Sequence, residues 1–290
     1  MNSAELKAMA EKLARTIVAE DSENSLRGFD EPAWDSPLLG FAAGDDPLFQ
    51  SYKELIGEFH WTPSEVMGIA YPGEFFSADE LSVICWILPQ TANTRQDQRR
   101  AQKLPCSRWV HSRHYGEKFN DYLRAQIRDG FIAAGIQAAA PALSPGFGYR
   151  ESKNFGLASN WSERHAAFAA GLGTFGLSDG FISEKGKAIR IGSVIIKANI
   201  EADPRKYDSH TANCLWYAEG SCGACIKRCP AQAISENGHD KKACFDYIKT
   251  VTAPYAEKIL GVYETPCGLC QTKIPCERQN PMAAKGRPAA

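Results

Sequence analysis

Cysteine carries most of the chemistry available to this chain. Eight of its ten cysteines, Cys214, Cys222, Cys225, Cys229, Cys244, Cys267, Cys270 and Cys276, fall in one stretch towards the C-terminus. Thiolates are ligands for soft and borderline metals, and eight of them make two complete sets of four. The run Cys222-Gly-Ala-Cys225-Ile-Lys-Arg-Cys229-Pro230 has the spacing of a [4Fe-4S] ligand segment, in which the cysteine before proline serves the neighbouring cluster. Cys267-Gly-Leu-Cys270, followed by Cys276, repeats the theme.

Crossed ligation of that kind puts Cys214, Cys222, Cys225 and Cys276 on one cluster and Cys229, Cys244, Cys267 and Cys270 on the other. The run Ala231-Gln-Ala-Ile234 behind Pro230 resembles the small apolar turn that shields a bacterial ferredoxin cluster from water. The spacing departs from the simple ferredoxin form, with seven residues between Cys214 and Cys222 and five between Cys270 and Cys276. Two other uses of cysteine compete. Zinc takes four thiolates in closed tetrahedral sites, and an even count also occurs in disulfide frameworks. The cysteine-proline ending favours iron and sulfide over zinc. Clustering of the cysteines, with no signal peptide at the start, argues against disulfides.

A chain of 290 residues with 44% hydrophobic content can bury one large domain and a smaller one. Its net charge of -1 provides no overall basic field to attract a phosphate backbone. The opening residues, Met1 to Ala8, lack both an apolar run and a twin-arginine pair. No stretch reaches the roughly 18 apolar residues of a spanning helix. The expectation is a cytoplasmic protein with free thiols and no membrane contact.

The cysteine module needs a body to serve. Leu6, Met9, Leu13 and Ile17 predict an amphipathic helix over residues 3 to 20. Residues 21 to 46 read as an ordered, irregular wrap, and helix returns at 47 to 59. Strands are expected at Val66 to Tyr71 and at Leu81 to Leu88, where Cys85 reads as a buried hydrophobe. A helix over 117 to 134, stopped at Gly135, precedes a strand from Gln137 to Leu143. Asn160-Trp-Ser-Glu163 has the form of a capping box opening a helix from Ser162 to Ala170. A glycine turn follows at 171 to 176, then a strand over 188 to 200. Alternation of strands and helices implies an α/β (α+β) core. Cys106, in Leu-Pro-Cys-Ser-Arg, reads as an incidental thiol.

Two motifs mislead. Gly171-Leu-Gly173-Thr-Phe-Gly176 satisfies the dinucleotide fingerprint, yet a helix precedes it, and Ile196 stands where the acidic ribose ligand belongs. Asp208-Ser-His210 begins like a cobalt-binding histidine motif but lacks its final glycine, so His210 reads as a loop residue.

Residues 155 to 276 resemble the superfamily of epoxyqueuosine reductases and reductive dehalogenases. The likeness rests on Ser162-Glu163-Arg164-His165 through Gly171-Leu-Gly173-Thr-Phe-Gly176, then Gly192-Ser193-Val194, then the cysteines, with a weaker echo at Arg113-His114-Tyr115-Gly116. The resemblance implies a nitroreductase-like cobalamin-binding core joined to a two-[4Fe-4S] ferredoxin-like module. The corresponding layout is a helical and wrapping segment over 1–60, the core over 61–202, the cluster module over 203–280 and a mobile tail over 281–290.

The resemblance further implies a base-off cobalamin held at Gly171, Gly173, Thr174, Gly176 and Ser193, reduced through the clusters for reductive cleavage of a small organic substrate. A ferredoxin or flavodoxin would be the low-potential electron donor. Tyr115, beside Arg113 and His114, resembles the dehalogenases' proton-donating tyrosine. The reductases use an aspartate six residues before the Glu-Arg pair, and that register here is Leu157, which cannot donate a proton. A tRNA partner therefore loses its basis. The alternative reading is an electron-transfer protein that carries or reduces a corrinoid for another enzyme and has no substrate of its own.

Overall fold

The protein is described by a computed structural model covering residues 1–283. Most of the expected mobile tail, residues 284–290, lies outside the described residues. Helix α1 (Ser3–Glu20) opens on a reciprocal capping box between Asn2 and Glu5. It buries Leu6, Ala10, Ala14 and Val18, while Met9, Leu13 and Ile17 flank that stripe. Strand β1 (Leu38–Ala43) forms inside the segment expected to be irregular. Helix α2 (Pro47–Ile56), capped by Asp46, follows as expected.

The strand expected at Val66 to Tyr71 is instead helix α3 (Pro63–Ala70). A second capping box, Thr62 with Glu65, and Pro63 in the first turn start that helix. Strand β2 (Ser82–Pro89) is as read. Helix α4 (Ala92–Arg100) escaped notice because it is almost wholly polar and presents no apolar period. Helix α5 (Ser107–Ala133) begins ten residues before the expected start, with Cys106 as its N-cap accepting from the Trp109 N–H. Its extra turns contain Tyr115.

Only Ala138–Ala139 of the next expected strand is extended; this is β3, followed by a 3-10 turn at Pro141–Leu143. A hairpin of β4 (Tyr149–Ser152) and β5 (Gly156–Ser159) leads to helix α6 (Glu163–Ala169). The glycine turn forms a second hairpin, β6 (Gly173–Phe175) with β7 (Phe181–Ser183), and β8 (Ile189–Ile196) completes the core.

The main sheet has the order β1-β2-β8-β3 and is antiparallel throughout. Every residue of β2 is buried. Val83, Cys85 and Ile87 face a layer built from α2, α3 and α6, whereas Ile84, Trp86 and Leu88 face α1 and α5. Side chains alternate between faces along a strand, so covering both faces requires an unbroken apolar run. The first sixty residues thus supply a sheet strand and helices to both layers of this core.

The cysteine-rich region follows as four short helices: α7 (Leu215–Glu219), α8 (Ala224–Arg228), α9 (Lys241–Tyr247) and α10 (Ala253–Leu260). Among the described residues no helix is long and apolar enough to cross a membrane.

Gly192 shows how tightly the centre of the sheet is packed. A Cβ there would fall 2.4 Å from Cζ2 of Trp86. Trp86 is itself fixed by its indole N–H donating to Asn120 Oδ1 at 2.9 Å, and Asn120 in turn donates to the Ile191 carbonyl at 3.0 Å. Gly192→Ala is expected to destabilise the fold by about 1–3 kcal/mol through overpacking, seen as a lower urea midpoint at unchanged slope. An unchanged midpoint would contradict this packing.

Candidate metal centre

Asn213 sets the position of Cys214, the N-cap of α7. Its backbone N–H donates to Thr174 Oγ1 at 2.9 Å, its amide donates to the Ile182 carbonyl at 2.9 Å, and its Oδ1 accepts from Asn280 at 2.8 Å. The β6–β7 hairpin and the end of the chain therefore hold the first thiol. Cys222 and Cys225 flank Gly223, whose φ of +81° starts α8. Cys276 is held through its carbonyl, which accepts from the Lys187 N–H at 2.8 Å. The adjacent Glu277 carboxylate is buried and accepts from Arg99 at 2.8 and 2.9 Å. Cys214, Cys222, Cys225 and Cys276 line one recess together with Leu177, Ile182, Lys187 and Trp216.

The remaining thiols lie beside α4 and the start of α5. Cys229 Sγ accepts from the Ala233 N–H at 3.3 Å, and Cys244 sits on α9. The Cys267 carbonyl accepts from Gln98 at 2.8 Å. Gly268, at φ +63°, lies so close to Trp109 that a Cβ would fall 2.1 Å from its ring; no other residue allows the loop from Cys267 to Cys270 this approach. Arg228 joins the pieces, donating to the carbonyls of Ala101, Gln98 and Thr272 at 2.6, 2.8 and 3.2 Å.

Burial pushes the Cys276 thiol up to about 12, opposed by Lys187 and reinforced by Cys214, Cys225 and Cys222. Burial likewise raises Cys267 to about 12, against the pull of the Leu269 N–H, with Cys270, Cys244 and Cys229 adding to the rise. Cys244 reaches about 11 through burial and then through Cys270 and Cys229. Cys225 is raised by burial, lowered by Lys187, and raised again by Cys270, Cys214 and Cys222. Such thiols hold their protons at neutral pH, so a metal must displace them on entry. Among the described residues no three His, Cys, Asp or Glu side chains are grouped so as to hold a single metal ion. Ala233 and Ile234 are buried, and Ile234 packs with Leu177, Ile182 and the thiols of Cys214, Cys225, Cys229, Cys270 and Cys276.

The other sequence-selected residues take different positions. A Cβ on Gly171 would meet the Pro204 carbonyl oxygen at 2.9 Å, one on Gly173 the Ile182 carbonyl oxygen at 2.2 Å, and one on Gly176 the Ile182 Cδ1 at 3.0 Å. Protein lies against the Cβ side of each. Thr174 is occupied with Asn213, and Ser193 accepts from the Trp161 indole at 3.0 Å while donating to Glu163 at 2.5 Å.

Glu163 is not the end of a capping box: Ser162 is the N-cap, its hydroxyl paired with His165 Nδ1 at 2.7 Å and not with a backbone N–H, and Asn160 pins the loop at Gly146 and Gly148. Burial pushes the Glu163 carboxyl up, against Arg124 and the Ser193 hydroxyl. Arg124, itself buried, joins Glu163 to Glu117 and Asp121.

Tyr115 lies in a surface cleft with Glu23, Arg27 and Lys118. Helix α5 covers the sheet face opposite to the one on which Leu172, Phe175 and Phe181 of the glycine hairpin pack. Tyr115 and the glycine turn are therefore not brought together. Leu157 is exposed on β5. Cys85 is core, Cys106 is pushed up to about 11 by burial, and His210 is an exposed turn residue.

No protein-family model matches the sequence, and no curated protein matches it. Solved structures do share its fold. A selenomethionine-labelled epoxyqueuosine reductase aligns with a TM-score of 0.51 at 16% identity, over 98% of this chain and 71% of that one. The catabolic reductive dehalogenase NpRdhA, in complex with 3-bromo-4-hydroxybenzoic acid, aligns with a TM-score of 0.53 at 13% identity, over 98% of this chain. This chain spans 38% of that dehalogenase's length. The chain thus shares its mixed α/β fold with an epoxyqueuosine reductase and a reductive dehalogenase.

Lys187, Arg228, Gln98, Asn213 and Glu277 were not singled out by sequence. No local signal marks them, because their partners lie far away along the chain. A buried aromatic group around the motif residue His165 was equally hidden: Tyr52, His60 and Trp161 surround one another there, with the His60 and His165 rings 6.4 Å apart.

Burial, and then Lys53, lower His60 from 6.5 to about 4. The unfolded chain thus takes up this proton first as pH falls. The stability contribution is complete above pH 6.5 and is lost progressively down to about pH 4, on the order of 3 kcal/mol in all. Urea unfolding followed by tryptophan fluorescence should show a flatter loss between pH 6.5 and 4 in His60→Phe than in the parent. Equal slopes would refute the assignment.

Proposed function

We propose that this protein is an iron-sulfur electron-transfer protein with the fold of the epoxyqueuosine reductases and reductive dehalogenases. Cys214, Cys222, Cys225 and Cys276 would hold one [4Fe-4S] cluster, and Cys229, Cys244, Cys267 and Cys270 the other. The observation that carries this reading is the shared recess of the first four thiols, gathered from separated parts of the chain around a hollow. The electrostatic neighbours of Cys276, Cys267 and Cys244 follow the same division, while Cys270 acts on Cys225 across it. The donor set also fits, since backbone N–H groups reach Cys222 at 3.5 Å and Cys229 at 3.3 Å, as the hydrogen bonds that tune cluster-ligating sulfurs do.

Such a pair supplies one-electron transfer when bound. The chain's own part is to orient and shield. Leu177, Ile182 and Ile234 keep water from the thiols. Arg228 locks the module against α4, and Asn213 fixes Cys214 against the glycine hairpin. Arg113 and His114 of α5 face Glu264, just before Cys267, at 3.8 and 3.7 Å, which ties the module to the core a second time.

The residues expected to seat the corrinoid implied by the resemblance each have protein contacts of their own. Pro204 and Ile182 fill the sides of the three glycines, and the Thr174 and Ser193 hydroxyls are engaged by protein. No step is therefore assigned to the corrinoid. The second reading, a corrinoid-dependent reductase of a small organic substrate, is favoured by the shared fold. A low-potential one-electron carrier would be the donor in either case.

Anaerobic reconstitution should give about eight irons per chain. Cys222→Ser and Cys276→Ser should each lose the same half of the iron, Cys244→Ser and Cys267→Ser the other half, and Cys85→Ser none. Zinc in place of iron, or Cys222 and Cys276 variants that affect different clusters, would overturn the reading. Tight cobalamin binding with reduction of its cobalt through the clusters would favour the second one.

A further inference from the structure

Lys187 stands two residues before β8 and is only 3% exposed. It lines the recess of Cys214, Cys222, Cys225 and Cys276, and its ammonium donates to the Ser178 hydroxyl. An ammonium kept from water is costly unless opposite charge compensates it. Here the compensating charge would be that of the ligand set once a cluster is bound.

The chain also makes room for this side chain. A Cβ on Gly180 would fall 2.1 Å from Lys187 Cε. The Lys187 N–H meanwhile donates to the carbonyls of Cys276 and Glu277 at 2.8 and 3.1 Å. One residue thus fixes a ligand through its backbone and places a positive charge beside the ligand set through its side chain.

We infer that Lys187 sets the direction of electron flow in the module: its buried charge raises the reduction potential of the cluster held by Cys214, Cys222, Cys225 and Cys276 above that of the other. The inference rests on the cluster assignment proposed above. Reduction adds one electron, and hence one negative charge, to a cluster. A fixed positive charge stabilises that state more strongly at short range and low dielectric. Lys187 lines the recess together with all four cysteines of this set, and none of the other four cysteines lines it. An electron delivered by a low-potential one-electron donor would therefore come to rest at the recess lined by Gly176, Leu177 and Ile182, beside the α/β core.

The test is a redox titration of reconstituted protein with dithionite, followed by electron paramagnetic resonance. Cys244→Ser serves to assign the signal of the cluster that remains. Lys187→Met should keep the full iron content and shift the midpoint of the core-side cluster to lower potential, with a smaller shift at the other. Lys187→Arg should restore the parent midpoint. Gly180→Ala, which keeps the lysine but displaces its stem, should also lower it.

Unchanged midpoints in iron-replete Lys187→Met or Gly180→Ala would overturn the inference, as would a larger shift at the Cys229 set. If Lys187→Met fails to assemble the cluster, the Gly180→Ala midpoint decides alone. A parent protein that takes up no iron would instead overturn the cluster assignment.

Discussion

For these cysteines to hold a cluster, negative charge must be placed on thiols that the fold has largely removed from water. Burial raises the pKa of Cys276, Cys267, Cys244 and Cys225, so none becomes a thiolate without a compensating charge. The surroundings are arranged to that end. Lys187 faces the thiols from the core, backbone N–H groups reach Cys222 and Cys229, and Arg228 stands near Cys267 and Cys270. Metal entry would complete the balance, which couples loading of the site to order in the module.

The core serves this arrangement by being rigid where the thiols are attached. Strand β2 is buried on both faces, and β8 beside it carries Gly192 and Ser193 into contact with Trp86, Trp161 and Glu163. The glycine hairpin grows from the same body and grips Asn213, and through it Cys214. Helices α4 and α5 reach the second thiol set from another direction, by way of Gln98 and Trp109. Residues that resemble a cofactor motif in the sequence thus take part in the packing that positions the cysteines. Gly173 lets the hairpin close on Ile182, and Glu163 balances the buried Arg124.

Where a local rule governs the outcome, the sequence is readable. The α1 helix and the apolar run of β2 are of this kind, since periodicity acts over a few residues. Val66 and Met67 show the opposite case: short apolar stretches fit helix and strand alike, and only the Thr62–Glu65 cap and Pro63 decide for helix. Strand β1 lay hidden among glycines and prolines because its partner, β2, lies some forty residues on. Asn160-Trp-Ser-Glu163 has the letters of a capping box, but buried Arg124 draws the carboxylate away from the helix end. Lys187 could not be picked out at all, because its meaning comes from cysteines that only the folded chain brings near.

Anomalous diffraction from anaerobically grown crystals, recorded on both sides of the iron absorption edge, tests the central claim most directly. The account predicts two separate iron peaks, one bounded by Cys214, Cys222, Cys225 and Cys276 and the other by Cys229, Cys244, Cys267 and Cys270. A peak that appears only at the zinc edge, or iron bridging cysteines of both sets in a single site, would contradict it.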